Sequence, residues 1–206
     1  MKFDIILMDP PWSYNRKSTG GTNKSGSSQQ YNTMTLEQIN DLYDYIHPLI
    51  NQNSVMFLWT TNSFLQGALD IMWDWGFDYK TMITWVKRNN GLGNWFRGKT
   101  EHLLMGVRSG GKVKPFRLQI PNLIISEKTL KHSEKPEESY VLIEQCAKNM
   151  VVEQDIKIDI LELFARQERT ALEKNFYENV RWTCIGKDIS GNDIKEDLKN
   201  CLKENC

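Results

Sequence analysis

The chain is poor in the residues that build metal centres and disulfide frameworks. Its 206 residues include four cysteines, none of them in a Cys-x-x-Cys pair, and only three histidines. A zinc site or a disulfide scaffold is therefore not expected. We predict no bound metal and free intracellular thiols at Cys146, Cys184, Cys201 and Cys206.

Long apolar segments are missing as well. No apolar run approaches the roughly 18 residues that a membrane helix requires, and residues 1–4 lack the apolar region of a secretory signal. We therefore expect a cytoplasmic protein that does not enter a membrane. The formal net charge is also zero, since 26 Lys and Arg balance 26 Asp and Glu.

The zero net charge hides a basic block. Residues 80–135 contain 12 Lys or Arg and 3 Glu, a local balance of +9, while residues 1–79 carry −4 and residues 136–206 carry −5. Such a block is typical of phosphate contacts with a nucleic acid. Solvated, lysine-rich loops would have the same composition, so both interpretations stay open here.

The apolar pattern predicts alternating strands and helices, and hence a doubly wound α/β sheet. Residues 3–8 are nearly all apolar, as in a strand buried on both faces of a parallel sheet. The other predicted strands are 54–60, 79–87, 102–107, 122–125, 157–164 and 181–185. One helix is predicted to start at Thr35, with capping-box spacing to Gln38 and an apolar stripe through Leu49. Two more are predicted to start at a cap on Asn62 or Ser63 and near Pro136.

One domain is expected, because 206 residues suffice for a single core. We assign it residues 1–190 and treat 191–206 as an amphipathic C-terminal tail, since Ile194, Leu198 and Leu202 recur on one helical face. Residues 13–33 have almost no apolar content, which predicts a mobile loop.

The tetrapeptide Asp9-Pro10-Pro11-Trp12 follows the first predicted strand directly. Ligands of open α/β sheets bind at the carboxyl ends of the strands. There, the Asp9 carboxylate and the Pro10 carbonyl could accept both hydrogens of a planar amino group, which favours a tetrahedral nitrogen whose lone pair faces an electrophilic methyl group. The two prolines keep these acceptors fixed in advance, and Trp12 offers a face for an extruded base. The alternative is a plain turn in which Trp12 fills the core.

Further blocks along the chain resemble one family. With the tetrapeptide, they lie at residues 31–34, 57–59, 85–87, 98–102, 106–107, 132–137 and 162–166. In this order they resemble the N6-adenosine methyltransferase family of the catalytic 70-kDa subunit of the messenger-RNA methyltransferase. The resemblance implies a circularly permuted, Rossmann-like class I methyltransferase, a single domain with a mostly parallel sheet. It also implies transfer of a methyl group from S-adenosyl-L-methionine to the N6 amino group of adenine in nucleic acid.

The same resemblance implies roles for individual residues. The catalytic residues are Asp9, Pro10, Pro11 and Trp12, and the cofactor is held by Asp9, Lys135, Glu162, Phe164 and Arg166. Where the chain departs from the family pattern, we expect Asp188 and Gln167 to complete the cofactor pocket. A salt bridge to a neighbour such as Arg166 would explain Glu162 equally well. The predicted substrate contacts are Trp12, Tyr14, Tyr31, Lys131 and His132, although His132 could instead be structural, as we expect of His102.

Partners follow less directly from the sequence. Residues 89–99 interleave glycines with Trp95, Phe96, Arg97 and Lys99; this segment could contact a second subunit, contact nucleic acid or cover the core, and we expect a homodimer. A bare catalytic domain resembles stand-alone bacterial or phage members, so DNA is favoured over RNA. A catalytically inactive nucleic-acid-binding partner is the alternative function. Methylation of a cytosine amino group or a glutamine amide is disfavoured, because Asp9 and Trp12 replace the Asn and Tyr typical of glutamine-amide enzymes.

Overall fold

The apolar run Phe3–Met8 that opens the chain is the central strand of a sheet in the computed structural model. The structure describes residues 2–13, 33–91, 95–126, 134–150, 157–169 and 180–204. Within these residues the sheet has seven strands: Phe3–Met8 (β1), Ile50–Thr60 (β2), Phe77–Val86 (β3), Thr100–Arg108 (β4), Leu123–Ile125 (β5), Ile158–Leu163 (β6) and Val180–Ile185 (β7). Every strand predicted from the sequence is present.

The strand order is β5-β3-β4-β2-β1-β6-β7. All neighbouring strands run parallel, except that β4 is antiparallel to both β2 and β3. The late strand β6 lies directly beside β1, as the predicted circular permutation requires. The expected Rossmann-like, mostly parallel α/β architecture is thus confirmed.

Helices cover both faces of the sheet. They are Leu36–Asn40 (α1), Tyr43–Ile46 (α2), Leu65–Asp74 (α3), Glu137–Met150 (α4), Lys187–Ser190 (α5) and Ile194–Glu204 (α6). The α1, α2, α3 and α6 helices pack on the face that carries Ile6 and Met8. On the other face, α4 packs over Ile5 and Leu7. Because successive strand residues point to opposite faces, β1 supplies both cores, which explains its continuous apolar sequence.

The segment after Thr35 differs from the predicted single helix. The capping box between Thr35 and Gln38 is present, but α1 and α2 are separate and a short 3₁₀ helix, His47–Leu49, follows them. Pro48 accounts for the end of the α-helical part, because proline has no amide hydrogen to donate and restricts the residue before it.

The predicted cap at Asn62 or Ser63 is wrong. Asn62–Phe64 forms a 3₁₀ turn without a side-chain cap. The Asn62 side chain is used elsewhere: its Nδ2 donates to Thr100 Oγ1 at 3.3 Å, and its Oδ1 lies 2.6 Å from His102 Nε2. These bonds tie the end of β2 to the start of β4.

The predicted C-terminal tail contains α6, whose apolar side packs on the protein. Ile194, Leu198 and Cys201 are buried in the same core as β1, with Leu202 packed partly buried against it. None of the described helices combines the length and the apolar character that a membrane span needs.

Gly186 brings the ends of β6 and β7 together. A Cβ atom at this position would lie 2.1 Å from the carbonyl oxygen of Ala165 and 2.8 Å from its nitrogen. The backbone of Gly186 is extended (φ 175°), so the constraint is space and not conformation. Ala165 also donates its N–H to the Ile185 carbonyl at 2.9 Å.

We expect Gly186→Ala to lower the free energy of unfolding by about 2–3 kcal/mol, because backbone atoms must move to admit the methyl group. Gly191→Ala is the matched control: Gly191 has φ +78° and open space around it, so only left-handed strain of about 1 kcal/mol is expected. Urea denaturation of both variants compares them, and equal losses would contradict the proposed clash.

Candidate active site

Several strand ends meet around one cavity. The strands β1, β2, β6 and β7 run parallel, so their carboxyl ends share one edge, and antiparallel β4 begins at that edge. A cavity of about 610 Å³ opens there. Its lining includes Asp9, Pro10, Pro11, Trp12, Thr33, Met34, Thr60, Thr61, Glu101, Lys135, Phe164, Ala165, Arg166, Gly186, Lys187 and Asp188. This is where ligands of open α/β sheets bind.

The turn after β1 is fixed by backbone hydrogen bonds. Trp12 N–H donates to the Pro10 carbonyl at 2.9 Å, and Met34 N–H donates to the Pro11 carbonyl at 2.8 Å. Ser13 N–H in turn donates to the Met34 carbonyl at 3.0 Å. The Pro10 carbonyl thus already accepts one bond, and its second lone pair remains for the acceptor role predicted from the sequence.

Trp12 belongs mainly to the core. Its side chain is 8% exposed, its ring stacks on Phe64 with centroids 5.4 Å apart, and its indole N–H donates to the Trp59 carbonyl at 3.2 Å. The core-filling alternative therefore accounts for most of its surface, although it also lines the cavity. Stacking of a base on Trp12 stays a prediction.

A chain of alternating charges crosses the cavity wall. Lys135 Nζ lies 2.8 Å from Asp9 Oδ2 and 3.2 Å from Glu101 Oε2. Glu101 also pairs with Lys87 through its other oxygen. The side chains of Lys135 and Glu101 are only 9% and 14% exposed, and that of Asp9 is 28% exposed. The Lys135 ammonium also lies 5.3 Å from the centroid of the Trp59 ring, within range of a cation–π contact.

The protonation of this cluster follows from burial and charge. Burial alone would lower the pKa of Lys135, but Asp9 and Glu101 outweigh it and raise that pKa above its ordinary value. Burial would raise the pKa of Glu101, but Lys135 and Lys87 outweigh it and lower that pKa. For Asp9, burial raises the pKa, and Lys135 offsets only part of the shift. Lys135 is therefore held as a cation, while Asp9 is a stronger base than an ordinary carboxylate.

The turns after β6 and β7 supply further lining residues. Phe164 adopts a left-handed backbone conformation (φ 63°), which is uncommon for a bulky side chain and is often found at ligand sites. Phe164 and Arg166 line the cavity together with Lys187 and Asp188, which follow β7. Cations, an acid and an aromatic ring thus face the same space as Asp9.

Two predicted cofactor residues do not line this cavity. Glu162 is buried below it, where its carboxylate pairs with Arg169 Nε at 2.6 Å and accepts from Tyr140 Oη at 3.2 Å. The alternative interpretation of Glu162, a salt bridge to a neighbouring residue, is therefore confirmed with Arg169 as the partner, while Arg166 lies exposed at the cavity. Gln167 is exposed and outside the lining.

Some predicted substrate contacts lie outside the described residues. These are Tyr14, Tyr31, Lys131 and His132, together with most of the loop 13–33. His102 is described: its Nδ1 lies 3.1 Å from Thr84 Oγ1 and its Nε2 bonds to Asn62. Burial lowers the pKa of His102, with Glu101 offsetting part of the shift. One ring nitrogen thus contacts the neighbouring strand β3, and the other contacts the turn after β2.

Sequence reasoning missed Glu101 and Lys87 as parts of the site. Glu101 lines the cavity and Lys87 pairs with it. Both belong to the β3–β4 hairpin, and the place of Glu101 depends on β4 running antiparallel, which no local pattern reveals. It also missed Asn192, Asp193 and Ile194, which line the cavity from the start of the predicted tail. Two signals were available for Glu101: it is one of three acidic residues within the basic block 80–135, and it lies in the block 98–102 that resembles the family.

The segment around Trp95 does not cover the core. Trp95 and Phe96 are 94% and 90% exposed, so that one of its three possible roles is excluded. The described residues also contain no group of three or more His, Cys, Asp or Glu placed to hold a metal ion.

Comparisons with known proteins point to one family. The family model described as MT-A70 matches residues 3–188. An MT-A70-like protein of Medicago truncatula is 25% identical over 198 residues, which cover 92% of this chain and 27% of that protein. The human N(6)-adenosine-methyltransferase catalytic subunit METTL3 is 25% identical over 152 residues, 70% of this chain and 23% of the subunit.

A shorter relative matches almost end to end. The type II methyltransferase M.MunI of a Mycoplasma species is 26% identical over 219 residues, 99% of this chain and 85% of the relative. The chain thus spans about a quarter of the length of the MT-A70-like and METTL3 relatives, but most of M.MunI.

We expect Glu101→Gln to lower the free energy of unfolding at neutral pH by about 1–3 kcal/mol, because Lys135 and Lys87 each lose a charged partner. The folded-state pKa of Glu101 is lowered from 4.5, so the stabilisation is complete above that pH and is lost as the pH falls through the lowered pKa. The difference between wild type and variant should therefore shrink below about pH 4.5.

Urea denaturation from pH 3 to pH 8 checks this. Glu138→Gln, on the exposed first turn of α4, is the matched control and should change stability little at any pH. A Glu101→Gln effect that did not depend on pH would contradict the charge-based explanation.

Proposed function

We propose that this chain, which belongs to the MT-A70 family, transfers a methyl group from S-adenosyl-L-methionine to the N6 amino group of adenine in nucleic acid. The observation that carries the proposal is the ion pair of Asp9 and Lys135 in the wall of the cavity. It holds a carboxylate at the carboxyl edge of the sheet, next to a fixed backbone carbonyl and a space large enough for two ligands to meet.

The donor groups of the cavity suit the cofactor. S-Adenosyl-L-methionine carries a carboxylate, an ammonium and a sulfonium cation, a ribose diol and a flat purine. Lys135 and Arg166 can bind the carboxylate, Asp188 can accept from the hydroxyls, and Phe164 offers a ring to the purine. A volume of about 610 Å³ falls within the range of cofactor sites. We assign no direct contact to Glu162 or Gln167, which do not line the cavity.

The catalytic role of Asp9 follows from its contacts. Lys135 engages Oδ2 of the carboxylate, which leaves Oδ1 as the acceptor for one amino hydrogen of the target adenine. The Pro10 carbonyl, fixed by its bond from Trp12 N–H, would accept the other hydrogen. When bound, the cofactor supplies a methyl group that is electrophilic because it sits on a positively charged sulfur.

The Asp9 carboxylate can also take up the proton that methylation of the amino group releases. Methylation would leave a positive charge on the amino nitrogen, because the nitrogen lone pair would form the new N–C bond while sulfur would keep the electrons of the S–C bond. That nitrogen must lose a proton, and Asp9 can accept it, since burial raises the pKa of its carboxyl. Lys135, held as a cation by Glu101 as well, keeps Asp9 oriented throughout.

DNA is the favoured substrate. The relative that this chain matches over most of its length is the type II methyltransferase M.MunI, a bacterial protein of the stand-alone kind for which we expect DNA as the target, whereas the N6-adenosine relatives are about four times longer than the region they share with it. The basic block of residues 80–135 supports a polyanionic partner.

The predicted homodimer and the domain boundary at residue 190 stay predictions.

We expect Asp9→Asn to lower the rate of methyl transfer at least about 100-fold, the loss typical of removing one preorganised electrostatic partner. The fold should persist, because Lys135 keeps Glu101 as a partner. Incorporation of labelled methyl groups into single-stranded DNA, duplex DNA and RNA measures the rate, and mass spectrometry of the nucleosides identifies N6-methyladenine.

Asp70→Asn is the matched control, because Asp70 is an exposed carboxylate on α3 that bonds to Gln66 at 2.8 Å. Turnover of Asp9→Asn close to that of the wild type would refute the assigned role. A wild-type protein that fails to bind S-adenosyl-L-methionine at millimolar concentration would instead favour an inactive nucleic-acid-binding partner.

We also expect a preference for DNA in that assay, with incorporation into DNA exceeding incorporation into RNA of the same sequence. The measurement is the ratio of initial rates on matched DNA and RNA oligonucleotides that differ only in the sugar and in thymine for uracil. A ratio below one would reverse the assigned substrate while leaving the N6 chemistry in place.

A further inference from the structure

The segment that leads from α5 into α6 forms part of the cavity wall. Four consecutive residues line the cavity there: Gly191, Asn192, Asp193 and Ile194. Ile194 is also buried in the core against which α6 packs, so the wall is anchored to the body of the protein. The family match ends at residue 188, and this wall therefore lies beyond the region that the family model covers.

Hydrogen bonds to Asp197, on the first turn of α6, hold this segment in shape. Ser190 Oγ donates to Asp197 Oδ2 at 2.6 Å, and Asn192 Nδ2 donates to Asp197 Oδ1 at 3.1 Å. The N–H of Asn192 also donates to Ser190 Oγ at 3.1 Å. Because one carboxylate on the helix binds both side chains, the turn before the helix is fixed relative to the helix itself.

Asp193 combines a fixed orientation with an available acceptor. Its Oδ1 accepts the N–H of Lys195 at 2.9 Å, in the manner of a helix cap. Its Oδ2 has no partner among the residues that the structure describes, and the residue is exposed at the cavity. The cap orients the carboxylate without neutralising it, so Asp193 offers a charged acceptor to a ligand in the cavity.

The strand order indicates which part of a cofactor lies near this acceptor. Along the cavity edge the strands follow the order β4-β2-β1-β6-β7, so Glu101, which begins β4, and Asp193, which comes after β7, belong to opposite sides of Asp9. The proposed function requires the methyl group of the cofactor near Asp9 and gives the carboxylate of the cofactor to Lys135, which pairs with Glu101. The adenosine half, on the other side of the sulfur, then extends over β6 and β7 towards Asp193.

We propose that Asp193 binds the adenosine half of S-adenosyl-L-methionine and that Asp197 is a positioning residue for this contact. Oδ2 of Asp193 accepts a hydrogen bond from a hydroxyl or amino group of the nucleoside, and Asp197 holds the turn from which Asp193 makes it. The contact agrees with the roles proposed for Phe164 and Asp188, which follow β6 and β7. This inference rests on the proposed function and adds to it a cofactor contact from the C-terminal segment.

Asp193→Asn separates the ligand contact from the helix cap. Asparagine caps a helix about as well as aspartate, so urea denaturation should show a stability close to that of the wild type. Since the cap uses the side-chain oxygen, the NH2 group of asparagine takes the place of Oδ2 and cannot accept a hydrogen bond. We expect binding of S-adenosyl-L-methionine, measured by calorimetry, to weaken about 10-fold or more, as for the loss of a charged hydrogen-bond acceptor.

A second ligand identifies the half of the cofactor that is contacted. The compound 5′-methylthioadenosine keeps the adenosine half and lacks the amino-acid half, and its binding is measured by displacement of S-adenosyl-L-methionine. We expect Asp193→Asn to weaken the binding of both ligands by the same factor.

Asp197→Ala tests the positioning role. The turn loses the acceptor of both Ser190 and Asn192, so the KM for the cofactor should rise while kcat at saturating cofactor changes less, because Asp9 and Lys135 are untouched. Asp197→Asn keeps one acceptor oxygen and should give a smaller rise. Glu196→Ala is the matched control, since Glu196 is an exposed acid on the same first turn of α6, and it should bind the cofactor as the wild type does.

The outcomes distinguish the inference from the function on which it rests. If the wild type does not bind S-adenosyl-L-methionine, the proposed function fails. If the wild type binds it and Asp193→Asn binds it equally well, only this inference is overturned, and Asp193 is a helix cap alone. A loss for S-adenosyl-L-methionine without a loss for 5′-methylthioadenosine, or a wild type that binds only the former, would place the contact away from the adenosine half and would also overturn the inference.

Discussion

The site depends on one buried ammonium group that bridges two carboxylates. Lys135 precedes α4, Asp9 follows the central strand, and Glu101 begins the antiparallel strand. These three positions are far apart in sequence, and their contact fixes the turn, the helix start and the hairpin relative to one another. Taking such charges out of water is costly unless each finds its partners, so the cluster is stable only when all three elements are in place.

The sequence predicted the framework of the site well, for a physical reason. An apolar run ended by two prolines can hardly be anything but a buried strand that stops at the sheet edge, and this placed Asp9 correctly at the edge. The late strand was also foreseeable from the apolar residues within 157–164, and it lies beside β1 as β6. Both predictions start from a short stretch of sequence and concern the position of a strand in the whole sheet.

The features that the sequence did not predict depend on the direction of a strand and on which side chains come into contact. The antiparallel course of β4 brings Glu101 to the cavity, and strand direction leaves no trace in apolar periodicity. The neighbour that pairs with Glu162 is Arg169, and apolar periodicity does not indicate which nearby cation a buried carboxylate will contact. The helix prediction followed the apolar stripe through Leu49, whereas the α-helical part ends before Pro48.

The position of β1 between β2 and β6 also constrains how the protein is made. The Asp159 amide that bonds to the Asp4 carboxylate is 155 residues further along the chain, so ribosomes that add about 5–20 residues per second need roughly 10–30 s to deliver it. Until then one side of the buried strand β1 has no neighbour, and contacts of such long range form slowly. A nascent chain therefore stays exposed to aggregation, and in need of chaperones, until β6 has been synthesised.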